Sequence, residues 1–207
     1  MKVILVNGSP HEHGTTAAAL SKVKEALEEN AVQTEIFWIG NQPIGGCIAC
    51  KACYQTAKCA FGGKVNEFAE LAKDADGFVF GSPVHYASAS GNLTAFLDRV
   101  FYSAPKDYFR LKPCAVVTAA RRGGTTAAYE QLLKYPGISE MPIISSRYWN
   151  MVHGSCAEDA EKDEEGMTCM RVLGINMAYF LKCQEAAKNA GIELPNPEPV
   201  AKTNFIR

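Results

Sequence analysis

Short, nearly unbroken apolar runs recur along this chain, each followed by a stretch of helical periodicity, and no other feature limits the fold as tightly. Residues 2–7 carry Val3-Ile4-Leu5-Val6, the pattern of a strand buried on both faces. Apolar residues from Ala17 to Leu27 then return at helical spacing with charges between them. Residues 34–39, 77–81 and 113–118 predict three more strands, and Pro142-Ile143-Ile144 predicts the start of a fifth. Helices are expected over residues 65–73, 93–101 and 125–134, and over roughly 164–190, where Gly191 and the 195–199 tail stop the last one. This β-α alternation requires a parallel sheet with helices on both faces. Five strands favour a doubly wound open sheet over an eight-stranded barrel. A ligand then sits at the carboxyl ends of the strands, where strand order reverses. The loops to examine follow strands one, three and four. No repeat or linker divides the sequence, so residues 1–207 are expected to form one α/β domain with a cysteine-rich loop at about 44–63.

Composition excludes several classes. With 21 basic and 22 acidic residues the net charge is −1, so no basic field for nucleic acid is implied. A content of 47% hydrophobic and 21% charged residues argues against disorder. The apolar run at Val3–Val6 ends at Asn7-Gly8 without a signal-peptide cleavage site, and no run is long enough for a membrane span. A cytoplasmic protein without a membrane partner is expected.

The loop Gly8-Ser9-Pro10-His11-Glu12-His13-Gly14-Thr15-Thr16 joins the first strand to the first helix. Hydroxyls at Ser9, Thr15 and Thr16, beside the free amides and positive dipole end of a helix, can bind an anion without a lysine. The sequence lacks both the Gly-Lys-Ser/Thr of a triphosphate loop and a Gly-x-Gly-x-x-Gly fingerprint here, and a hydroxyl-rich loop suits a terminal monophosphate. Thr15 or Thr16 acting only as a helix cap is the alternative. After the third strand, Pro83 stiffens Ser82-Pro83-Val84-His85-Tyr86, and Tyr86 offers an aromatic face to a planar ring. Packing by Tyr86 and a plain surface role for His85 are the alternatives. Arg121-Arg122-Gly123-Gly124 follows the fourth strand and reads as a ligand loop or a solvated turn. Asp98-Arg99 reads as a local ion pair or helix anchor. Trp149, with His153 nearby, reads as a contact residue or as core.

Eight cysteines are many for such a chain, and four of them stand as Cys47-x2-Cys50-x2-Cys53-x5-Cys59. Compact spacing of this kind lets one loop wrap a cubane whose irons need four thiolates. Zinc sites more often pair two separated knuckles. Reduced thiols or a disulfide are the alternatives. Cys114, Cys156, Cys169 and Cys183 are scattered and are expected to pack as small hydrophobes.

Together, Gly-Ser-Pro-x-x-x-Gly-x-Thr, Gly81–Tyr86, Ser90–Leu93, Phe96–Arg99, Arg121–Gly124, Tyr148–Gly154 and Asp163–Gly166 resemble the NADPH-dependent FMN reductase family, close to its iron–sulfur flavoprotein branch. The resemblance covers nearly the whole chain. It implies a flavodoxin-like three-layer sandwich with a five-stranded parallel sheet of order 2-1-3-4-5. It implies FMN as cofactor, with Ser9, Thr15 and Thr16 on the phosphate. Pro83, Val84, His85 and Tyr86 would line the flavin, and Ala120, Arg121, Arg122, Gly123, Gly124 and Thr125 would border its ring. His11 stands where the family often has a basic residue. The branch also implies a [4Fe-4S] cluster on Cys47, Cys50, Cys53 and Cys59. The activity implied is an oxidoreductase taking hydride from NADPH or NADH and passing electrons to a small molecule or protein. Two alternatives are an electron carrier between FMN, a [4Fe-4S] cluster and ferredoxin, and a non-catalytic redox sensor. A homodimer or homotetramer is expected.

Overall fold

The computed structural model describes residues 1–199, 201, 203 and 205, and the remaining end of the expected domain lies outside the described residues. Its elements in chain order are β1 (Lys2–Asn7), α1 (Thr15–Glu29), β2 (Gln33–Trp38), α2 (Cys53–Thr56), α3 (Lys64–Lys73), β3 (Gly77–His85), β4 (Ser88–Ala89), α4 (Gly91–Ser103), β5 (Cys114–Ala120), α5 (Thr125–Ile138), β6 (Met151–His153), α6 (Ala157–Ala160) and α7 (Glu164–Asn189), with a single 3₁₀ turn at Lys106–Tyr108. The sheet runs β2-β1-β3-β5-β6, all parallel, and the two-residue β4 pairs antiparallel with β3. With β4 set aside, the parallel strands follow the expected order 2-1-3-4-5.

The unbroken apolar strands are explained by helices on both sides. Ile4, Val6, Phe78, Phe80, Cys114 and Val116 face a layer containing Phe68, Phe96 and Leu132, while Val3, Leu5, Val79, Ala115 and Val117 face Leu20, Val23, Met170 and Leu173. Thus α3, α4 and α5 cover one face, and α1 and α7 the other. Phe68 is fully buried with its ring against those of Phe37, Phe78, Phe80 and Phe96. Replacing such a ring by Ala costs about 3–5 kcal/mol. Two helix starts are fixed by side chains. The Ser90 hydroxyl accepts from Leu93 N, and the Asp163 carboxylate accepts from Gly166 N.

The fifth strand departs from expectation. Ile143 makes a single parallel bridge to Cys114, and regular pairing begins only at Met151, opposite Thr118. Four steps along β5 therefore correspond to eight along its neighbour, and the excess loops out. Asn150 fills the gap, its Nδ2 donating to the Val116 carbonyl at 3.1 Å while its own carbonyl accepts from Thr118 N at 2.9 Å. The looped segment hangs on α7, where Asn176 Nδ2 donates to the Ser145 carbonyl and the Ser146 hydroxyl donates to the Cys169 carbonyl. Trp149 is carried outward, 52% exposed and edge-on to Tyr148, so it is not a core residue.

Candidate functional site

At the carboxyl ends of the strands, four loops meet around a cavity of about 280 Å³ lined by Ser9, His11, Gly14, Thr15, Thr16, Pro83, Val84, Ala119, Ala120, Arg121, Gly154 and Ser155. The first loop is wound around Asn7, which is fully buried. Asn7 Oδ1 accepts from Ser9 N at 3.0 Å, and its Nδ2 donates to the Glu12 carbonyl at 3.1 Å. Ser9 Oγ in turn accepts from His11 N, and Trp38 Nε1 donates to the Ser9 carbonyl. Thr15 Oγ1 donates to the carbonyls of Gly154 and Cys156 at 3.4 and 3.2 Å, tying the start of α1 to the loop after β6. Gly14 caps α1 without any side-chain hydrogen bond, and the first turn holds no acidic residue. The leading amides and the helix dipole are thus left to an anion. Free amides at a helix start fit a terminal phosphate, and Ser9, Thr15 and Thr16 line the cavity at that point.

The other expected residues divide. Pro83, Val84, Ala120 and Arg121 line the cavity, whereas His85, Tyr86, Arg122, Gly123, Gly124 and Thr125 do not. β3 continues past Val84 into a hairpin whose turn, Tyr86-Ala87, has φ of +50° and +57°. Tyr86 is fully exposed at its tip. The turn packs on Gly124, at φ +96°, where an added Cβ would lie 2.7 Å from Ala87 Cα. Thr125 is buried, with its hydroxyl donating to Met151 Sδ. Asn7, Gly154 and Ser155 complete the picture. A buried asparagine ending an apolar strand was the available signal for the first of these.

A second cavity is lined by Cys47, Cys50, Cys53 and Cys59 together with Lys51, Phe61, Arg99, Tyr102 and Ser103. All eight cysteines of the chain are unbridged. Left-handed backbone at Ala49 and Lys51 flanks Cys50 and coils the loop. Cys59 is pinned by Asn66, which accepts from its amide and donates to its carbonyl. Cys53 Sγ donates to the Tyr102 carbonyl, and burial pushes its thiol up first. The Tyr54 and Tyr102 hydroxyls meet at 2.9 Å, which raises the Tyr102 phenol to about 12. Among the described residues no three His, Cys, Asp or Glu side chains converge as one metal ion requires. A cubane takes four thiolates, one on each iron, so the four cysteines lining this cavity are the kind of donor set it needs. Asp98 and Arg99 do not pair. Asp98 accepts from the Tyr135 hydroxyl at 2.6 Å, and Arg99 turns into the cysteine loop.

Strand order and helix layers define the class, a flavodoxin-like fold, and the first cavity lies at its topological switch point. A family model described as NADPH-dependent FMN reductase matches residues 1–155, and the chain belongs to that family. This makes it a flavin-dependent oxidoreductase in class. An iron-sulfur flavoprotein of Methanocaldococcus jannaschii is 29% identical, covering 88% of this chain and 98% of its own. Among solved structures, RosB with bound 8-demethyl-8-formylriboflavin-5'-phosphate superposes with a TM-score of 0.70 at 12% identity, covering 100% of this chain and 92% of its own. A flavodoxin from the domain Archaea gives 0.61 at 15%, covering 88% and 99%. These two likenesses concern the fold. No helix among the described residues is long and apolar enough to cross a membrane.

Proposed function

We propose that this chain is an FMN-dependent oxidoreductase of the iron–sulfur flavoprotein kind, relaying electrons between a flavin in the first cavity and a [4Fe-4S] cluster on Cys47, Cys50, Cys53 and Cys59. The observation that carries it is the gathering of all four cysteines on one cavity beside α4, the helix whose N-cap also holds the flavin loop. There the Ser90 hydroxyl donates to the Gly8 carbonyl at 2.9 Å. The name of the Methanocaldococcus relative agrees with this reading. Bound FMN supplies the ability to exchange two electrons with one partner and single electrons with another.

The protein's own residues bind and orient. The α1 amides, with Ser9, Thr15 and Thr16, would take the phosphate, Pro83 and Val84 would border one side of the flavin, and Ala120 and Arg121 the other. No side chain in this cavity needs to act as nucleophile or general base. Direct reduction by NADPH or NADH is the second reading, favoured by the family description and by the open wall of the cavity.

Anaerobic purification tests the proposal. Flavin absorbance with four irons and four acid-labile sulfides per chain is expected, and flavin without iron overturns the relay. Stopped-flow mixing then separates the donors. Rapid flavin bleaching by a low-potential one-electron protein donor but not by NAD(P)H supports the carrier, and the reverse supports direct nicotinamide reduction.

A further inference from the structure

Two polar groups of α4 at the cysteine cavity are incompletely matched among the described residues, Arg99 in charge and Ser103 in hydrogen bonding. Arg99 is only 7% exposed. Its Nε donates to Cys59 Sγ at 3.2 Å, and its two terminal nitrogens donate to the carbonyls of Gly45 and Gly62 at 3.4 and 3.0 Å. Its plane also lies over the Phe61 ring. Arg110 and Arg171 pair with Glu140 and Glu29, but among the described residues no carboxylate bridges Arg99. A buried guanidinium without a counter-charge is costly. Ser103 is also 7% exposed, and its Oγ is buried without any hydrogen-bond partner among the described residues. It stands four residues after Arg99 on the same helix face and lines the same cavity. An unpaired cation and an orphaned hydroxyl facing four cysteines are complementary to an anion rich in sulfur acceptors.

We propose that Arg99 and Ser103 are positioning residues for the group held by Cys47, Cys50, Cys53 and Cys59, supplying charge and hydrogen bonds to its sulfurs and holding its reduction potential up. The inference rests on the iron–sulfur reading above. Reduction by one electron adds one negative charge to the group, makes and breaks no bond and moves no proton. The electron comes from reduced flavin in turnover and from dithionite in the test. Hydrogen bonds to sulfur and nearby positive charge favour the more negative state. Arg99 supplies both, and Ser103 supplies a hydroxyl that can rotate toward a sulfur acceptor.

The test is an EPR-monitored redox titration of anaerobically reconstituted wild type, Arg99→Leu, Arg99→Lys and Ser103→Ala, with iron and FMN content measured on each. Arg99→Leu is expected to disfavour reduction by about tenfold, which is about 59 mV for a one-electron couple. Arg99→Lys should recover part of that shift, and Ser103→Ala should show a smaller fall. Melting of the iron-free proteins gives a second readout. Ser103→Ala should melt no lower than wild type without iron, because it removes an unsatisfied hydroxyl. Wild type that takes up no iron and sulfide overturns the iron–sulfur reading and this inference with it. Wild type with four irons, and variants that keep its potential, overturns this inference alone. Should Arg99→Leu fail to fold, Ser103→Ala and Arg99→Lys decide.

Discussion

Gly14→Asp separates the stability of α1 from its role as an anion site, because the two respond with opposite sign. Gly14 has φ −90° and ψ −166°, the extended backbone of an N-cap, and makes no capping bond. A Cβ there would meet His11 Cβ at 3.3 Å, which a shift of a few tenths of an ångström relieves. An aspartate at this position can accept from the Thr16 or Ala17 amide and places a negative charge at the positive end of the helix. The cap adds a few tenths of a kcal/mol over glycine, and the dipole about 0.3–1 kcal/mol. For a chain of this size the flavin-free protein should melt about 1–6 °C higher. FMN should bind more weakly, because the carboxylate takes an amide from the phosphate. One charge-assisted hydrogen bond is worth about 1.5–3 kcal/mol, or roughly 10- to 150-fold in Kd. Titration by flavin fluorescence quenching with FMN and with riboflavin is the assay, and Gly14→Ala controls for the added Cβ. Riboflavin lacks the phosphate and should lose little. Equal losses for both flavins, or an unchanged FMN affinity, would refute a phosphate site at the start of α1.

The Thr15→Val/Thr16→Val double substitution should weaken FMN retention on gel filtration, and a flavin-to-protein ratio equal to wild type would argue against the loop as the phosphate site. Gly174→Ala places a Cβ 2.7 Å from both Ala26 Cβ and the Val23 carbonyl oxygen, where α7 crosses α1. Overpacking of about 1–3 kcal/mol should lower the melting temperature by several degrees, and an unchanged melt would show that the helices part easily. Full burial pushes the Cys114 thiol far above its ordinary value of 9.0, so the fold favours the protonated form. Its stabilising effect is intact below pH 9.0 and is lost as pH rises beyond it. Urea melts between about pH 8 and 11 should therefore fall less steeply in Cys114→Ala, and parallel curves would remove this group from the alkaline loss.

Strands buried on both faces announce themselves, because every residue must be apolar, and β1, β3 and β5 were legible for that reason. The final helix was equally plain, since Gly191 and the 195–199 tail stop it, and the structure adds Asp163 as its cap. The fifth strand misled because Ile143 does touch the sheet, while the pairing that continues it depends on Asn150 and on hydrogen bonds to α7 far along the chain. At the first cavity, local chemistry pointed to Ser9, Thr15 and Thr16, which the structure places in its lining. It did not reveal the β3–β4 hairpin, because Tyr86 and Ala87 adopt left-handed backbone that neither residue type favours. Nor could it reveal that neighbours Asp98 and Arg99 leave α4 toward different partners. That divergence depends on which side of the helix meets α5 and which meets the cysteine loop.

α4 ties the two cavities into one apparatus. At its start, the Ser90 amide donates to Ser82 Oγ and the Ser90 hydroxyl donates to the Gly8 carbonyl, joining the ends of β1 and β3 beside the first cavity. Two residues on, Asn92 accepts from Ile44 N and donates to the Gln42 carbonyl, which holds the entry to the cysteine loop. Farther along, Arg99, Tyr102 and Ser103 line the cysteine cavity. From Ser90 to Arg99 the helix rises about 14 Å at 1.5 Å per residue. One helix therefore contributes to both cavities, its start to the first and its later turns to one wall of the second. A relay between two redox groups benefits from that arrangement, because its rate falls with distance while its direction depends on the difference in potentials. On the proposed relay, α4 would help set the first, and Arg99 and Ser103 on its inner face would act on the second.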